Sequence, residues 1–208
     1  MDITLRAIEV LKAVDLIAAE DTRHTQILTS HYDIKTPFTS YFEHNKITKG
    51  EYLIRLLKEG KSIAIVSDAG TPGISDPGCH IIKLAIENDI KIEQIPGPSA
   101  LISALVLSGM PTDRFIFEGF LPSKSGARKN RLKELLNEKR TIVVYESPHR
   151  LVKTLKDINE VFGDIMIACL RELTKKFEEV RRQRVNDLIG YFTENKPRGE
   201  FVICFRSR

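Results

Sequence analysis

The segment Ser67–Gly78 has the residue types of a ligand-binding loop. It holds three glycines and two prolines in twelve residues, and it directly follows the apolar run Ile63–Val66. Glycine and proline fix unusual backbone paths, and open α/β sheets bind ligands at the carboxyl ends of their strands. The alternative is a structural turn with Asp68 and Asp76 as local caps. We therefore predict a ligand loop whose backbone groups make the contacts.

A second segment of turn residues, Pro96–Ala100, precedes the apolar stretch Leu101–Ser108. Ser99 then lies near the amino end of a helix, where free N–H groups can hold an anion or a carbonyl oxygen. Common nucleotide signatures are absent from the sequence. Gly60–Ser62 resembles the end of a P-loop, but Arg55 replaces the required glycine and a strand follows. No G-x-G-x-x-G motif occurs.

Strand and helix patterns alternate along the chain, which predicts an α/β fold with a mostly parallel sheet. The turn-rich segment Gly109–Asp113 separates two such series, so we expect one domain at 1–110, with the ligand loop, and another at 111–208. The predicted elements are helix Thr4–Ala13, strand Val14–Ala19, helix Thr25–Ser30, strand Thr36–Tyr41, helix Lys46–Glu59, strand Ser62–Val66, helix Pro77–Asn88, strand Lys91–Ile95, helix Leu101–Ser108, strand Phe115–Phe117, basic loop Leu121–Arg128, helix Lys129–Glu138, strand Thr141–Tyr145, helix Pro148–Phe162, strand Asp164–Leu170, helix Val185–Asn195 and strand Gly199–Phe205.

Length and composition are typical of a soluble globular protein. The chain has 208 residues, 42% of them hydrophobic and 29% charged, which suits two domains of about 100 residues each. No apolar stretch approaches the roughly 20 residues of a membrane-spanning helix, and the amino terminus does not resemble a secretory leader. We therefore expect no membrane contact and a cytoplasmic location. The net charge of +4 is compatible with a nucleic-acid partner but does not require one.

Cysteine and histidine usage argues against a metal centre and against disulfides. The three cysteines, Cys79, Cys169 and Cys204, form no C-x-x-C pair, and the five histidines are scattered. We expect buried, reduced cysteines and no bound metal.

Seven short motifs occur in one order along essentially the whole chain. They are Glu20–Arg23, Ser67–Gly78, Gly97–Ala100, Glu118–Pro122, Tyr145–Arg150, Arg171–Lys175 and Gly199–Val202. In order and spacing this set resembles the ribosomal RNA small subunit methyltransferase I family of the tetrapyrrole-methylase-like superfamily.

The resemblance implies two α/β domains of the class III S-adenosylmethionine methyltransferase type, with the cofactor in the cleft between them and usually a homodimer. It implies methylation of the 2′-hydroxyl of a cytidine in 16S ribosomal RNA of the 30S subunit. The cofactor-binding residues that it implies are Asp68, Ala69, Gly70, Thr71, Pro72, Ser99 and Ala100, with Ala168 and Glu172 from the second domain.

Methyl transfer to a ribose needs alignment of sulfur, methyl group and oxygen, and exclusion of water. A ribose hydroxyl is a poor nucleophile, so a general base would add about 10²-fold or more. The candidate bases are Glu20, Asp21, Glu146, His149 and Glu172.

Four of the candidate bases also have a structural interpretation. Glu20 and Asp21 can pair with Arg23 or cap the next helix. His149 follows a proline at a helix start, where histidine is more often a surface residue than a base. Glu172 can form an ion pair at the domain junction.

Basic residues predict where RNA would bind. The segment 124–133 can follow phosphates or be a solvated helix face, and the arginines of 181–184 form a second basic group. Asn45 is equally plausible as a helix N-cap. The predicted RNA-binding residues are Arg23, His44, Asn45, Lys124, Arg128, Lys129 and Arg150.

The chain departs from the family pattern at both ends. Family members begin with an apolar strand and a Pro-Ile-Gly-Asn-Leu loop just before the motif matched by Asp2–Thr4, and they continue past the closing strand into a small helical domain. The absence of the first strand leaves open a catalytically impaired fragment that binds RNA or cofactor. A tetrapyrrole (porphyrinoid) methylase of the same superfamily is the other alternative.

Overall fold

The computed structural model describes residues 2–76 and 78–207. The chain divides into two compact α/β units, Met1–Ser99 and Ala100–Arg208. No helix in the described ranges combines the length and the apolar character needed to span a membrane.

The first unit contains a three-stranded parallel sheet in the order β2-β1-β3. Ala18 of the central strand faces a cluster with Leu53 and Ile81, whereas Ile17 faces Leu11 and Ile34 on the other side. Adjacent strand residues point to opposite faces, so helices cover both faces of this sheet. Its elements are α1 (Leu5–Ala13), β1 (Leu16–Ala19), α2 (Thr22–His31), β2 (Phe38–Ser40), α3 (Lys46–Lys58), β3 (Ile63–Val66) and α4 (Gly78–Glu87).

The second unit contains a five-stranded mixed sheet in the order β4-β5-β8-β6-β7. One face carries Ile142 and Phe205 in the larger core, and the other carries Val143 and Val202 beneath Leu101 of the first helix. Its elements are α5 (Ala100–Ser108), β4 (Phe115–Phe120), α6 (Ser125–Glu134), β5 (Thr141–Glu146), α7 (Leu151–Phe162), β6 (Met166–Arg171), β7 (Glu179–Arg184), α8 (Val185–Glu194) and β8 (Phe201–Phe205).

The α/β class is confirmed, and the mostly parallel sheet holds for the first unit alone. In the second sheet, β4–β5 is a parallel pair, whereas the pairs β5–β8, β6–β8 and β6–β7 are antiparallel. The chain divides between Ser99 and Ala100, ahead of the boundary expected after residue 110. The reason is that α5 packs on strands β8 and β6.

Several predicted elements differ from the structure. Residues 91–95 form no strand, and α6 begins at Ser125, inside the predicted basic loop. Strand β7 was missed because its sequence, Glu-Val-Arg-Arg-Gln-Arg, lacks an apolar alternation. The predicted helix start at Pro77 lies outside the described residues.

Candidate functional site

The carboxyl ends of β1 and β3 bring the start of the predicted ligand loop against Glu20. The N–H of Glu20 donates to the carbonyl of Val66 (3.1 Å), and the Glu20 carboxylate accepts the N–H of Asp68 (3.2 Å). Parallel strands place their following loops at one edge. We call the residues 20–24 and 67–76, with 96–99, the first edge.

Asp21 caps helix α2, as its structural interpretation predicted. Its carboxylate accepts the N–H of Arg23 (2.8 Å) and the Arg23 Nε (3.0 Å). These bonds hold the pKa of Asp21 far below its usual range. Asp21 is therefore a poor proton acceptor, and the Arg23 guanidinium, although exposed, already has an anionic partner.

His24 is a residue of the first edge that the sequence analysis missed. Its Nδ1 lies 3.4 Å from Oδ2 of Asp68, and one ligand atom each of Asp21, His24 and Asp68 lies within 4.8 Å of the others. The available signal was its position one turn after the Asp21 cap. Because Arg23 already pairs with Asp21, this cluster contains a cation of its own.

Asp76 closes the ligand loop through bonds to its backbone. For this aspartate the alternative of a local cap in a structural turn therefore applies. Its carboxylate accepts the N–H groups of Gly73 (2.9 Å) and Gly78 (2.7 Å). A Cβ on Gly78 would lie 2.8 Å from the Gly73 nitrogen, so close backbone approach requires glycine there. The Sγ of Cys79, predicted to be buried, is exposed and donates to the Gly73 carbonyl (2.9 Å).

The ligand loop meets the segment before α5. Thr71 Oγ1 donates to the Pro98 carbonyl (3.0 Å). Gly70 has φ +77°, and a Cβ there would lie 3.4 Å from the same carbonyl oxygen. The two loops predicted from glycine and proline therefore lie side by side, with backbone polar groups at their junction.

Asn45 stabilises the turn before α3. Its Oδ1 accepts the N–H of Phe42 (2.8 Å), and its amide nitrogen donates to the Ser40 carbonyl (3.4 Å). It occupies the N-cap position without a side-chain cap bond. The amide is thus committed to the turn, whereas His44 is exposed.

In the second unit, β4, β5 and β6 end at one edge of the sheet, because β4 and β5 are parallel and β8 is antiparallel to both β5 and β6. We call the residues 117–122, 145–150, 171–178 and 199–200 the second edge.

Glu146 is buried in a structural network at the second edge. Its carboxylate accepts the Thr154 hydroxyl (2.5 Å) and the Ser147 N–H (2.8 Å), and lies 3.2 Å from Arg150 Nε. Arg150 donates onward to the Leu121 carbonyl (2.6 Å). A base role for Glu146 and an RNA contact by Arg150 therefore lose support, whereas the other candidate of this turn, His149, is exposed.

Arg128 is buried, so the prediction that it binds phosphate is wrong. Its guanidinium lies 2.6 Å from Asp157 and donates to the Ser123 carbonyl (3.1 Å). Lys129 pairs with Glu160 (2.6 Å), whereas Lys124 is exposed. The pattern of apolar and charged residues in the sequence could not show that the Arg128 side chain on α6 is buried.

Glu172 fixes the chain before β8. Its carboxylate accepts the Glu200 N–H (2.8 Å) and the Lys175 ammonium (3.2 Å). Burial alone would raise the pKa of Glu172, but these two bonds, together with the charges of Lys175 and Arg171, outweigh it and lower the pKa. Ala168 is fully buried beneath α5, so its side chain does not reach a ligand, whereas Ala100 is exposed.

Two aromatic residues of the second edge were quoted in motifs but not assigned a role. Burial raises the pKa of Tyr145, and the backbone N–H of Leu101, at the start of α5, opposes that rise. Phe117 and Phe120 meet the Tyr145 ring edge-on at 4.8 and 5.8 Å, and Phe120 is 53% exposed. Aromatic residues at strand ends were the available signal.

Comparison with known proteins identifies the family. Residues 1–189 match the Tetrapyrrole (Corrin/Porphyrin) Methylases. A Synechocystis protein named "Ribosomal RNA small subunit methyltransferase I" is 50% identical over 97% of this chain and 73% of its own length. A protein of the same name from Thermotoga maritima is 48% identical over 100% of this chain and 93% of its own.

Solved structures share the fold at low sequence identity. Diphthine synthase superposes with a TM-score of 0.76 at 14% identity, covering 99% of this chain and 84% of its own. Uroporphyrin-III C-methyl transferase from Thermus thermophilus, complexed with S-adenyl homocysteine, gives 0.64 at 16% identity, covering 97% and 90%. This chain therefore belongs to the tetrapyrrole methylase family and, within it, to ribosomal RNA small subunit methyltransferase I.

Proposed function

We propose that this protein transfers a methyl group from S-adenosylmethionine to the 2′-hydroxyl of a cytidine in 16S ribosomal RNA. The observation that carries the proposal is the 48–50% identity, over nearly the whole chain, to relatives named for small-subunit ribosomal RNA methylation. The proposal of the 2′-hydroxyl and of cytidine rests on the family resemblance.

The first edge fits a cationic ligand of this kind. Glu20 and Asp68 place carboxylates beside the loop, and carboxylates attract a positively charged sulfonium or ammonium group. Gly70 has no side chain, so the space between its Cα and the Pro98 carbonyl oxygen stays open. A solved relative of the same fold is described as complexed with S-adenyl homocysteine. When bound, S-adenosylmethionine supplies the electrophilic methyl group.

The ligand loop would hold the cofactor through a rigid backbone. Asp76 and the Thr71–Pro98 bond fix the loop from two sides, so little conformational entropy remains to be lost on binding. A fixed loop can orient a ligand and exclude water, which are the main demands of this reaction. The residues that we propose to hold the cofactor are Asp68, Ala69, Gly70, Thr71, Pro72, Ser99 and Ala100.

The proton of the ribose hydroxyl needs an acceptor, and we propose Glu20. Asp21, Glu146 and Glu172 are each bonded to cations or buried donors. Glu20 lies at the first edge beside the loop that we propose to hold the cofactor, where its carboxylate accepts the Asp68 N–H. Glu20→Gln should lower kcat by about 10²-fold. A kcat equal to that of the wild type would remove Glu20 from this role.

Methyl transfer to unmodified small ribosomal subunits, with radiolabelled S-adenosylmethionine, tests the function. We expect label in a cytidine whose ribose resists alkaline cleavage, and none in a porphyrinogen substrate. Label in the porphyrinogen would favour the tetrapyrrole alternative, which the named relatives do not support. RNA binding with no transfer would favour the impaired fragment.

Two further properties follow as proposals from the function and the resemblance. We propose a cytoplasmic location, because the proposed substrate is ribosomal RNA. A homodimer would cover Ile102 and Val106 of α5, which are 49% and 66% exposed. Sedimentation equilibrium of the wild type and of Val106→Glu measures this association, and a monomeric wild type would exclude it.

A further inference from the structure

The loop that connects β6 to β7 presents an aromatic side chain to solvent. Phe177 is 61% exposed, and the ammonium of Lys176 lies 5.6 Å from the centre of its ring. Most large apolar side chains of this unit lie in two cores. An exposed phenylalanine beside a lysine is a combination found where proteins stack on nucleic-acid bases and contact phosphates.

This loop is held rigidly at its base. Glu172 and Thr174 have φ values of +46° and +65°, which non-glycine residues adopt infrequently. The Thr174 N–H donates to the Glu178 carboxylate (2.5 Å), and Lys175 bridges Glu172 and Glu200 (3.2 and 2.8 Å). The backbone of Glu172 also donates to the Glu200 carbonyl (2.9 Å). A tip on such a base loses little freedom when it binds.

The lysine at the base of the loop and the lysine at its tip differ in their ion pairs. Lys175 is committed to two carboxylates, whereas no ion pair involves Lys176 in the described part of the chain. The tip therefore offers one cation and one aromatic ring. That pairing suits a flexible polyanion with exposed bases better than an apolar protein surface.

We propose that Phe177 stacks on an unpaired base of the ribosomal RNA substrate while Lys176 contacts a neighbouring phosphate. The inference rests on the proposed function for the identity of the RNA. It adds an RNA-binding position that is absent from the predicted set, which included other lysines and arginines of the chain.

Binding of small-subunit ribosomal RNA transcribed in vitro tests this assignment. Phe177→Ala should raise the Kd about tenfold, with a matching rise in KM for RNA and no change in kcat or in cofactor affinity. Phe177→Trp should retain wild-type affinity, because it keeps a stacking surface. Met166→Ala is the matched control, since Met166 is 52% exposed at the opposite end of β6.

Salt dependence separates the two side chains. Lys176→Gln should reduce the slope of log Kd against log salt by about one unit, and Phe177→Ala should leave that slope unchanged. Equal RNA affinities of Phe177→Ala and Met166→Ala would overturn the inference, as would a Phe177→Ala effect confined to sedimentation, which indicates a protein interface.

The outcomes also separate this inference from the proposed function. Wild-type methyl transfer that is insensitive to Phe177→Ala refutes the inference alone. RNA binding that depends on Phe177, without any methyl transfer, refutes the proposed function alone. A wild-type protein that does not bind the RNA refutes both.

Discussion

At the first edge, the side chains near the ligand loop are partly exposed, as Asp68 is, and Asp21 forms an ion pair with its exposed neighbour Arg23. At the second edge, Glu146 is buried and joins residues far apart in the chain through Thr154 and Arg150. Hydrogen bonds to a buried carboxylate are stronger than the same bonds in water, whereas exposed ion pairs contribute little. The comparison favours cofactor contacts at the first edge and a structural role for the buried Glu146 network of the second edge.

The largest effect is expected from removing the buried carboxylate. Glu146→Ala leaves Arg150 and the Thr154 hydroxyl without their partner, which should destabilise the fold by about 3–5 kcal/mol. The control is Glu134→Ala, whose 62% exposed carboxylate pairs with Arg131 and should contribute less than about 1 kcal/mol. Urea unfolding followed by circular dichroism measures both. Similar losses in the two variants would contradict a structural role for the Glu146 network.

A smaller effect is expected at Gly199, where Glu172 covers the backbone. Gly199 has φ +80°, and an added Cβ would lie 2.4 Å from Glu172 Cγ, so Gly199→Ala should cost about 3 kcal/mol. Gly163→Ala is a matched control, because Gly163 has φ +75° and nothing within 4 Å of an added Cβ. It should cost about 1–2 kcal/mol, which is the backbone strain alone. Equal losses of stability in the two variants, measured by urea unfolding, would show that the Glu172 side chain moves away from the added methyl group at little cost.

The sequence was informative where local chemistry determines structure. Thr4 caps α1, Gly60 follows the end of α3 with φ +87°, and Gly70 and Gly73 of the ligand loop also have positive φ values. These features depend on residues close together in the chain, so propensity and turn chemistry suffice to find them.

Features that depend on distant partners could not be predicted. The inward turn of Arg128 depends on Asp157, and the burial of Ala168 depends on α5 packing over it. Strand β7 is a sheet-edge strand whose polar sequence resembles a loop. The sequence motifs located both edges of the site. Only the structure shows which of their carboxylates are buried and therefore stabilise the fold.

Asp68 tests the comparison at the first edge, where we expect an effect on cofactor affinity and not on stability. Its carboxylate is 41% exposed, so Asp68→Ala should leave stability within about 0.5 kcal/mol of the wild type. The affinity for S-adenosylhomocysteine, measured by calorimetry, should fall about tenfold because a charged contact is lost. Asp76→Ala is the control in the same loop, since removing its two backbone bonds should reduce both stability and affinity. Unchanged cofactor affinity in Asp68→Ala would remove the loop from the cofactor site.

The smallest expected effect is a pH dependence from Glu172. Its pKa is lower in the folded protein, where the Glu200 N–H and Lys175 hold the carboxylate ionised. A carboxylate with a depressed folded pKa contributes stability above its unfolded pKa of about 4.3 and loses it as the pH falls through the folded value. Because Lys175 is 43% exposed, the contribution should be under about 1 kcal/mol. The wild type should therefore lose more stability between about pH 6 and pH 3 than Glu172→Gln, whose amide does not titrate in this range. Parallel pH profiles of urea unfolding for the two proteins would mean that Glu172 bonds no more strongly as a carboxylate than as an amide, and that the second edge is held by its uncharged contacts.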